Sequence, residues 1–239
     1  HGGWSRGDGD SLGFVSFHSK TAEFFRENIE FPFFQKHLKG QEGVVLPEAF
    51  VFETGRNQWR KHDTWPPKAT VGKALHFRAG GKLAFDSPDD DSPDAADEYV
   101  SDPNKPVPFV DFISIGMDPT YMVADQRFAS RRPDVLTYQS DPLKDDVTIA
   151  GPLDVELFVS TTGTDSDFVV KLIDVYPDDF PDPNPNPRQV RMGGFQQLVR
   201  GDVMRGKFRN ALVGPDAVPV VRPAAPEALA RAAVDGSLE

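Results

Sequence analysis

Two hydrophobic periodicities follow one another along this chain. Between residues 19 and 39 the apolar positions Phe24, Phe25, Ile29, Phe33, Phe34 and Leu38 recur at helical spacing. Pro32 interrupts the run, so the pattern predicts two short helices with the proline in the first turn of the second, and Gly40 closes it. From residue 44 the spacing changes to short apolar or alternating runs at 44–52, 74–77, 82–85, 107–113, 134–138, 147–149, 155–160, 168–175 and 189–198. Turn signals separate them, in a chain with 22 Pro and 20 Gly, and such runs predict an all-β sandwich.

The clearest of these runs are adjacent. Val155, Leu157 and Val159 alternate with Glu156 and Ser160, and in 168–175 the polar Lys171 lies in opposite phase to Leu172. Both read as strands with one or both faces buried. Their link, Thr161 to Asp167, is rich in Thr, Gly and Asp and suits a tight connection braced by Asp165 and Asp167. Between Asp86 and Asp102 there are eight acidic residues and no basic one, which predicts an exposed loop. Its carboxylates offer oxygen donors, but the ordered ligand spacing of a calcium loop is lacking, so no metal is assigned. Residues 181–187 alternate Pro with Asp and Asn and read as a solvated connection. No internal repeat is present.

Composition narrows the function classes. With 239 residues, 38% apolar content and 19 Phe, the chain can build a core as one large or two modest domains. A net charge of -11 without a basic stripe argues against a nucleic-acid or anionic-membrane partner. The absence of cysteine excludes disulfides, thiolate metal sites and a cysteine nucleophile. No apolar run approaches the roughly 20 residues of a membrane span, and the opening residues carry no signal-peptide pattern. The compartment stays open.

Candidate chemistry is sparse. Gly9-Asp10-Ser11-Leu12-Gly13 satisfies the Gly-x-Ser-x-Gly pattern, which signifies a nucleophile only when a buried strand precedes it and a helix follows. Here Ser5 to Gly9 is polar and glycine-rich, so Ser11 is expected to be a decoy. His18, His37, His62 and His76 show no metal-ligand spacing, and neither metal nor cofactor is expected.

Five stretches together resemble one family. They are His1-Gly2-Gly3-Trp4; Val51 to Arg60 closed by Trp65-Pro66; Tyr99 to Pro103 with Pro106 to Phe109; Asp125 to Phe128 with Arg132 to Leu136; and Thr148 to Pro152 running through Ser160 to Phe168 and on to Lys171–Pro177. In this order they are similar to the C-terminal part of the X-Pro dipeptidyl-peptidase type serine hydrolases. The α-amino acid ester hydrolases and glutaryl 7-aminocephalosporanic acid acylases are nearest, with cocaine esterase more distant. The resemblance implies that residues 1–43 end an α/β-hydrolase catalytic domain and that residues 44–239 form a jelly-roll, galactose-binding-like β-sandwich.

It also implies a role for His1. In the family a histidine followed by Gly or Ser and an aromatic residue is the general base of a Ser-Asp-His triad, and the histidine comes last along the chain. The bland reading, that His1 has no catalytic part, stands beside it. The implied partners are an upstream catalytic domain of the same protein and a small-molecule acyl substrate, with surface left for self-association. The chain alone would be silent, since nucleophile and triad acid lie upstream. The resemblance favours packing over ligand stacking for Trp59 and Trp65, which flank Arg60, Lys61 and His62.

The likeness fades after Gly206-Lys207-Phe208-Arg209, where Pro- and Ala-rich text replaces the closing strands and Pro226 to Ala233 reads as a short helix. Unpaired edges would then await the tail or another copy of the chain. A free-standing jelly-roll binding module is the rival reading, but it leaves residues 1–38 without a use. A complete small esterase built on Ser11 is the third.

Overall fold

In the computed structural model, the described residues are 7, 9–88, 96–116, 118–206 and, for the backbone, 234–238. His1 and the helix expected over Pro226 to Ala233 lie outside them. The chain divides into two units, one drawn from residues 1–69, 112–125 and 174–198, the other from 70–111, 126–173 and 199–239.

The first unit holds the helical run and two hairpins. β1 (Ser11–Leu12) pairs antiparallel with β2 (Val15–Ser16). The helical run is α1 (Thr21–Phe25), a π-helical turn at Arg26–Glu30, and α2 (Phe31–Lys39). Pro32 stands in the first turn of α2, as the periodicity predicts, but the break is a change of register and not an interruption. Proline offers no N–H to the carbonyl four residues back and its ring crowds that carbonyl, and a π turn absorbs both problems. Gly40 ends the helix in the left-handed conformation, φ 61°.

β3 (Ala49–Glu53) and β4 (Gln58–His62) form an antiparallel hairpin in which Phe52 faces Trp59 and Phe50 faces Lys61. Strand β3 occupies only the end of the predicted run 44–52, because Gly43 (φ 84°) and Pro47 keep its approach irregular. A 3-10 turn at Pro119–Val123 is capped by Asp118, whose carboxylate accepts from the Thr120 N–H and hydroxyl, both at 2.8 Å. These two bonds hold the Asp118 carboxyl below its usual range.

The second unit is centred on a sheet of order β6-β5-β10-β7, with β5 (Lys73–Arg78), β6 (Lys82–Ala84), β7 (Glu156–Leu157) and β10 (Val234–Leu238). Strand β10 lies antiparallel between β5 and β7, so a tail segment that the sequence reading passed over supplies a central strand. The run 134–138 is not the strand expected: Asp134 and Val135 lie in a turn and bend, and the chain meets β6 only at Gln139, whose carbonyl accepts from the Leu83 N–H at 3.0 Å, while Tyr138 stacks on Phe77 at 4.1 Å. Tyr138 donates to Asp97 at 2.6 Å, and burial, then that bond, raise its pKa. Arg132 grips Asp134 with two bonds, at 2.8 and 2.6 Å, and reaches the Lys105 carbonyl at 3.0 Å. A short helix α3 (Arg127–Ser130) follows Gln126, which is 1% exposed and accepts from Lys171 at 2.7 Å. Burial lowers the Lys171 pKa.

β8 (Asp167–Val175) and β9 (Gln196–Arg205) form a pair whose residues are shared out between the two units. The turn before β8 is braced as expected: the Ser166 N–H donates to Asp165 at 2.9 Å and Arg205 to Asp167 at 3.2 Å. Among the described residues the structure is mainly β with little helix. Other strand expectations are corrected as well, and of the run 155–160 only Glu156–Leu157 is strand. Residues 107–113 and 147–149 form bends and coil, the former because Pro106 and Pro108 remove ladder donors. The run 189–198 becomes strand only from Gln196, since Gly193 packs its backbone so tightly on the Asp178 carbonyl that a Cβ there would lie 2.2 Å from it.

Candidate functional site

The one catalytic residue suggested by the sequence, His1, lies outside the described residues, so the site is approached through the chain that follows it. Gly7 and Gly9 run beside α1. Thr21, 2% exposed, donates its hydroxyl to the Gly9 carbonyl, and the Arg26 guanidinium donates to the Gly7 carbonyl at 2.9 Å. Gly9 has φ 67°, and a Cβ on it would lie 2.7 Å from the Ala22 nitrogen. Only glycine allows that approach in that conformation. On the far side the Phe17 N–H donates to the Asp10 carbonyl at 2.8 Å. None of these anchors was legible in advance; the glycines at 7 and 9 were the available signal.

Helix and β3–β4 hairpin meet through aromatic rings. Phe50, Phe52 and Trp59 share one face of the hairpin, and Phe24 of α1 stacks on Trp59 with centroids 4.6 Å apart and planes at 18°. Phe50 and Phe52 meet the same indole edge-on at 5.5 and 5.4 Å, and Phe17 packs on Phe52 at 5.8 Å. Trp59 is therefore a packing residue, as the resemblance suggested. On the other face Glu53 accepts from Arg60 at 2.8 Å.

Helix α2 is different. Phe31 is 61% exposed and Leu38 73%, and Phe33 and Phe34 are exposed as well. Arg26, Glu27, Glu30, Phe31 and Phe34 line an open groove of about 530 Å³. An amphipathic helix that presents its apolar stripe to solvent has a face built for burial against something else.

The remaining candidates are placed apart from this segment or without chemistry. Ser11 sits on the two-residue strand β1, its hydroxyl donating to the adjacent Asp10 at 3.1 Å, and α1 begins only at Thr21. Among the described residues no strand–turn–helix elbow surrounds it. His37 packs on Phe33 at 4.5 Å and His62 on Trp65 at 5.8 Å, while His76 is buried and His18 lies in a bend with φ 46°. Among the described residues no group of three or more His, Asp or Glu is arranged to hold a metal ion. No described helix is long and apolar enough to cross a membrane.

Comparison with known proteins adds the context that the geometry lacks. Residues 43–221 match the family described as the X-Pro dipeptidyl-peptidase C-terminal non-catalytic domain. The cocaine esterase of Rhodococcus sp. (strain MB1 Bresler) is 34% identical over a 194-residue alignment that covers 77% of this chain and 31% of the esterase. An aminopeptidase from the marine sediment archaeon Thaumarchaeota archaeon superposes with a TM-score of 0.77 and 35% identity, covering 99% of this chain and 37% of that one. An α-amino acid ester hydrolase does so with a TM-score of 0.73 and 34% identity, covering 99% and 40%. The chain thus spans well under half the length of each of these relatives.

Proposed function

Because this chain belongs to the X-Pro dipeptidyl-peptidase C-terminal non-catalytic domain family, we propose that it is the C-terminal portion of a serine hydrolase that cleaves ester or amide bonds through an acyl-enzyme. Residues 44–239 are the β companion, built as a jelly-roll sandwich, and residues 1–43 are the end of the α/β-hydrolase catalytic domain. The observation that carries this reading is coverage. The family match begins at residue 43, yet the likeness to an aminopeptidase and to an ester hydrolase covers 99% of the chain, so the loop and helices before residue 43 also have counterparts in hydrolases. The outward Phe31, Phe33, Phe34 and Leu38 support it, as the face on which the rest of the catalytic domain would pack.

The chemistry assigned to this chain is one proton's path. An imidazole titrates near neutral pH, so His1 can take the proton from an upstream serine hydroxyl as that oxygen attacks the substrate carbonyl. It then gives the proton to the departing alcohol or amine, and repeats the cycle with water to release the acid and free the serine. The serine, the carboxylate that orients the imidazole and the oxyanion donors belong to the upstream part.

The test is a comparison of p-nitrophenyl acetate hydrolysis by the protein with its upstream coding sequence and by the 239-residue chain alone, at equal molarity. Turnover is expected from the longer protein, and the chain alone should match the buffer rate. Turnover by the chain alone, or none by the longer protein on any ester or amide of a broad panel, overturns the proposal.

A further inference from the structure

Resting on the reading of this chain as the companion of an upstream catalytic domain, we propose that the loop Phe112 to Ile115 is a contact through which residues 44–239 dock on that domain. The loop stands out by exposure. Ile113 and Ile115 are 98% and 102% exposed, more than any other large apolar residue described, and Phe112 is exposed beside them. Three apolar side chains within four residues make a patch, where a single exposed one would be ordinary. The loop is also held in place. Ser114 donates its hydroxyl to the Gly116 carbonyl at 3.0 Å, Gly116 turns the chain at φ 82°, and Asp118 caps the 3-10 turn that follows. A fixed loop that presents isoleucine to water is shaped for a partner that takes it out of water.

The partner follows from position, length and charge. Although the family match runs from 43 to 221, residues 112–125 fall in the same compact unit as residues 1–69, the unit that includes the end of the catalytic domain on this reading. The aminopeptidase and the ester hydrolase that match 99% of this chain are only 37% and 40% covered by it, so each has a further large body of chain beside the matched part. Charge disfavours the other occupants. At a net charge of -11 a second copy or an anionic lipid surface is repelled, and Asp111 is the one charged residue from 106 to 117, so the loop offers no cation to offset that repulsion. A domain joined to the same chain needs no such help, because the connection itself sets a high effective concentration.

The experiment uses the full-length protein, with its upstream sequence, carrying the photoprobe p-benzoylphenylalanine in place of Ile113 or, separately, Ile115→Cys. On irradiation the probe is expected to join a residue upstream of His1 in the same molecule, seen as a monomer on a denaturing gel and mapped by peptide mass spectrometry. The Ile115→Cys thiol should react with N-ethylmaleimide about 10-fold or more slowly in the native protein than after unfolding in guanidinium. Should the probe at 113 prevent folding, the same probe at Phe112 replaces it. An adduct of dimer mass puts a second copy on the loop, and an adduct within residues 1–239 puts this chain itself there. Either result overturns the proposal, as does a thiol that reacts equally fast folded and unfolded, or one protected only when phosphatidylcholine vesicles are added. Ester turnover, read on the same preparations, separates the two ideas. An upstream adduct in a protein inactive on every ester and amide removes the hydrolase reading and keeps the contact, whereas full turnover with the loop in water removes only the contact.

Discussion

Replacing His1 by Ala in the full-length protein is expected to lower kcat for ester hydrolysis by about 10⁴- to 10⁶-fold while leaving KM nearly unchanged. The size follows from what the imidazole does. Without a base the serine hydroxyl must attack as a neutral alcohol, and no group remains to protonate the leaving atom. The residual rate comes from substrate binding and the oxyanion donors. Steady-state kinetics on p-nitrophenyl esters read the effect directly. A loss of tenfold or less would mean that another group serves as base and that His1 is a bystander.

Replacing Trp59 by Ala is expected to cost about 3 kcal/mol, lowering Tm by roughly 6–12 °C. The indole is the hub of the helix–hairpin contact, stacked on Phe24 at 4.6 Å and met by Phe50 and Phe52 at 5.5 and 5.4 Å. Removing it leaves three rings facing a void that Ala cannot fill, whereas Trp59→Phe keeps one ring in place and should recover about half of the loss. Differential scanning calorimetry measures both. An unchanged Tm in Trp59→Ala would instead make this indole a ligand-stacking surface and favour the binding-module reading.

Much of the secondary structure was legible where the pattern is local. The helical spacing of Phe24 to Leu38, the position of Pro32 and the cap at Gly40 all reappear. Strands β5, β6 and β8 fall on their predicted runs because alternation or continuous apolarity sets each one without distant help. Strand β4 was not legible as a strand, since Gln58, Arg60, Lys61 and His62 are polar and Trp59 is its one apolar residue in the aromatic cluster. Residues 107–113 misled in the opposite sense. Their apolar content is real, but Ile113 is fully exposed and Pro106 and Pro108 remove ladder donors. Strand β10 depends on partners some 75 and 160 residues away in sequence, a pairing that no window of local sequence reveals.

The candidate site was legible only through resemblance. A single histidine carries no pattern of its own, and His1 gains meaning from the glycines and tryptophan after it and from the family likeness downstream. The Thr21 and Arg26 anchors lie 12 and 19 residues from their acceptors and are made to backbone carbonyls, which have no residue signature. Ser11 shows the converse. Its motif is complete in sequence, but a two-residue strand and an exposed bond to Asp10 give it neither the strained turn nor the base that the motif requires.

The measurement that bears most directly on the central claim is the site of covalent labelling by a fluorophosphonate, mapped by mass spectrometry in the active full-length protein. One modified serine is expected, upstream of His1, with its labelling lost in His1→Ala. Modification of Ser11, or of any other serine within residues 1–239, would contradict it.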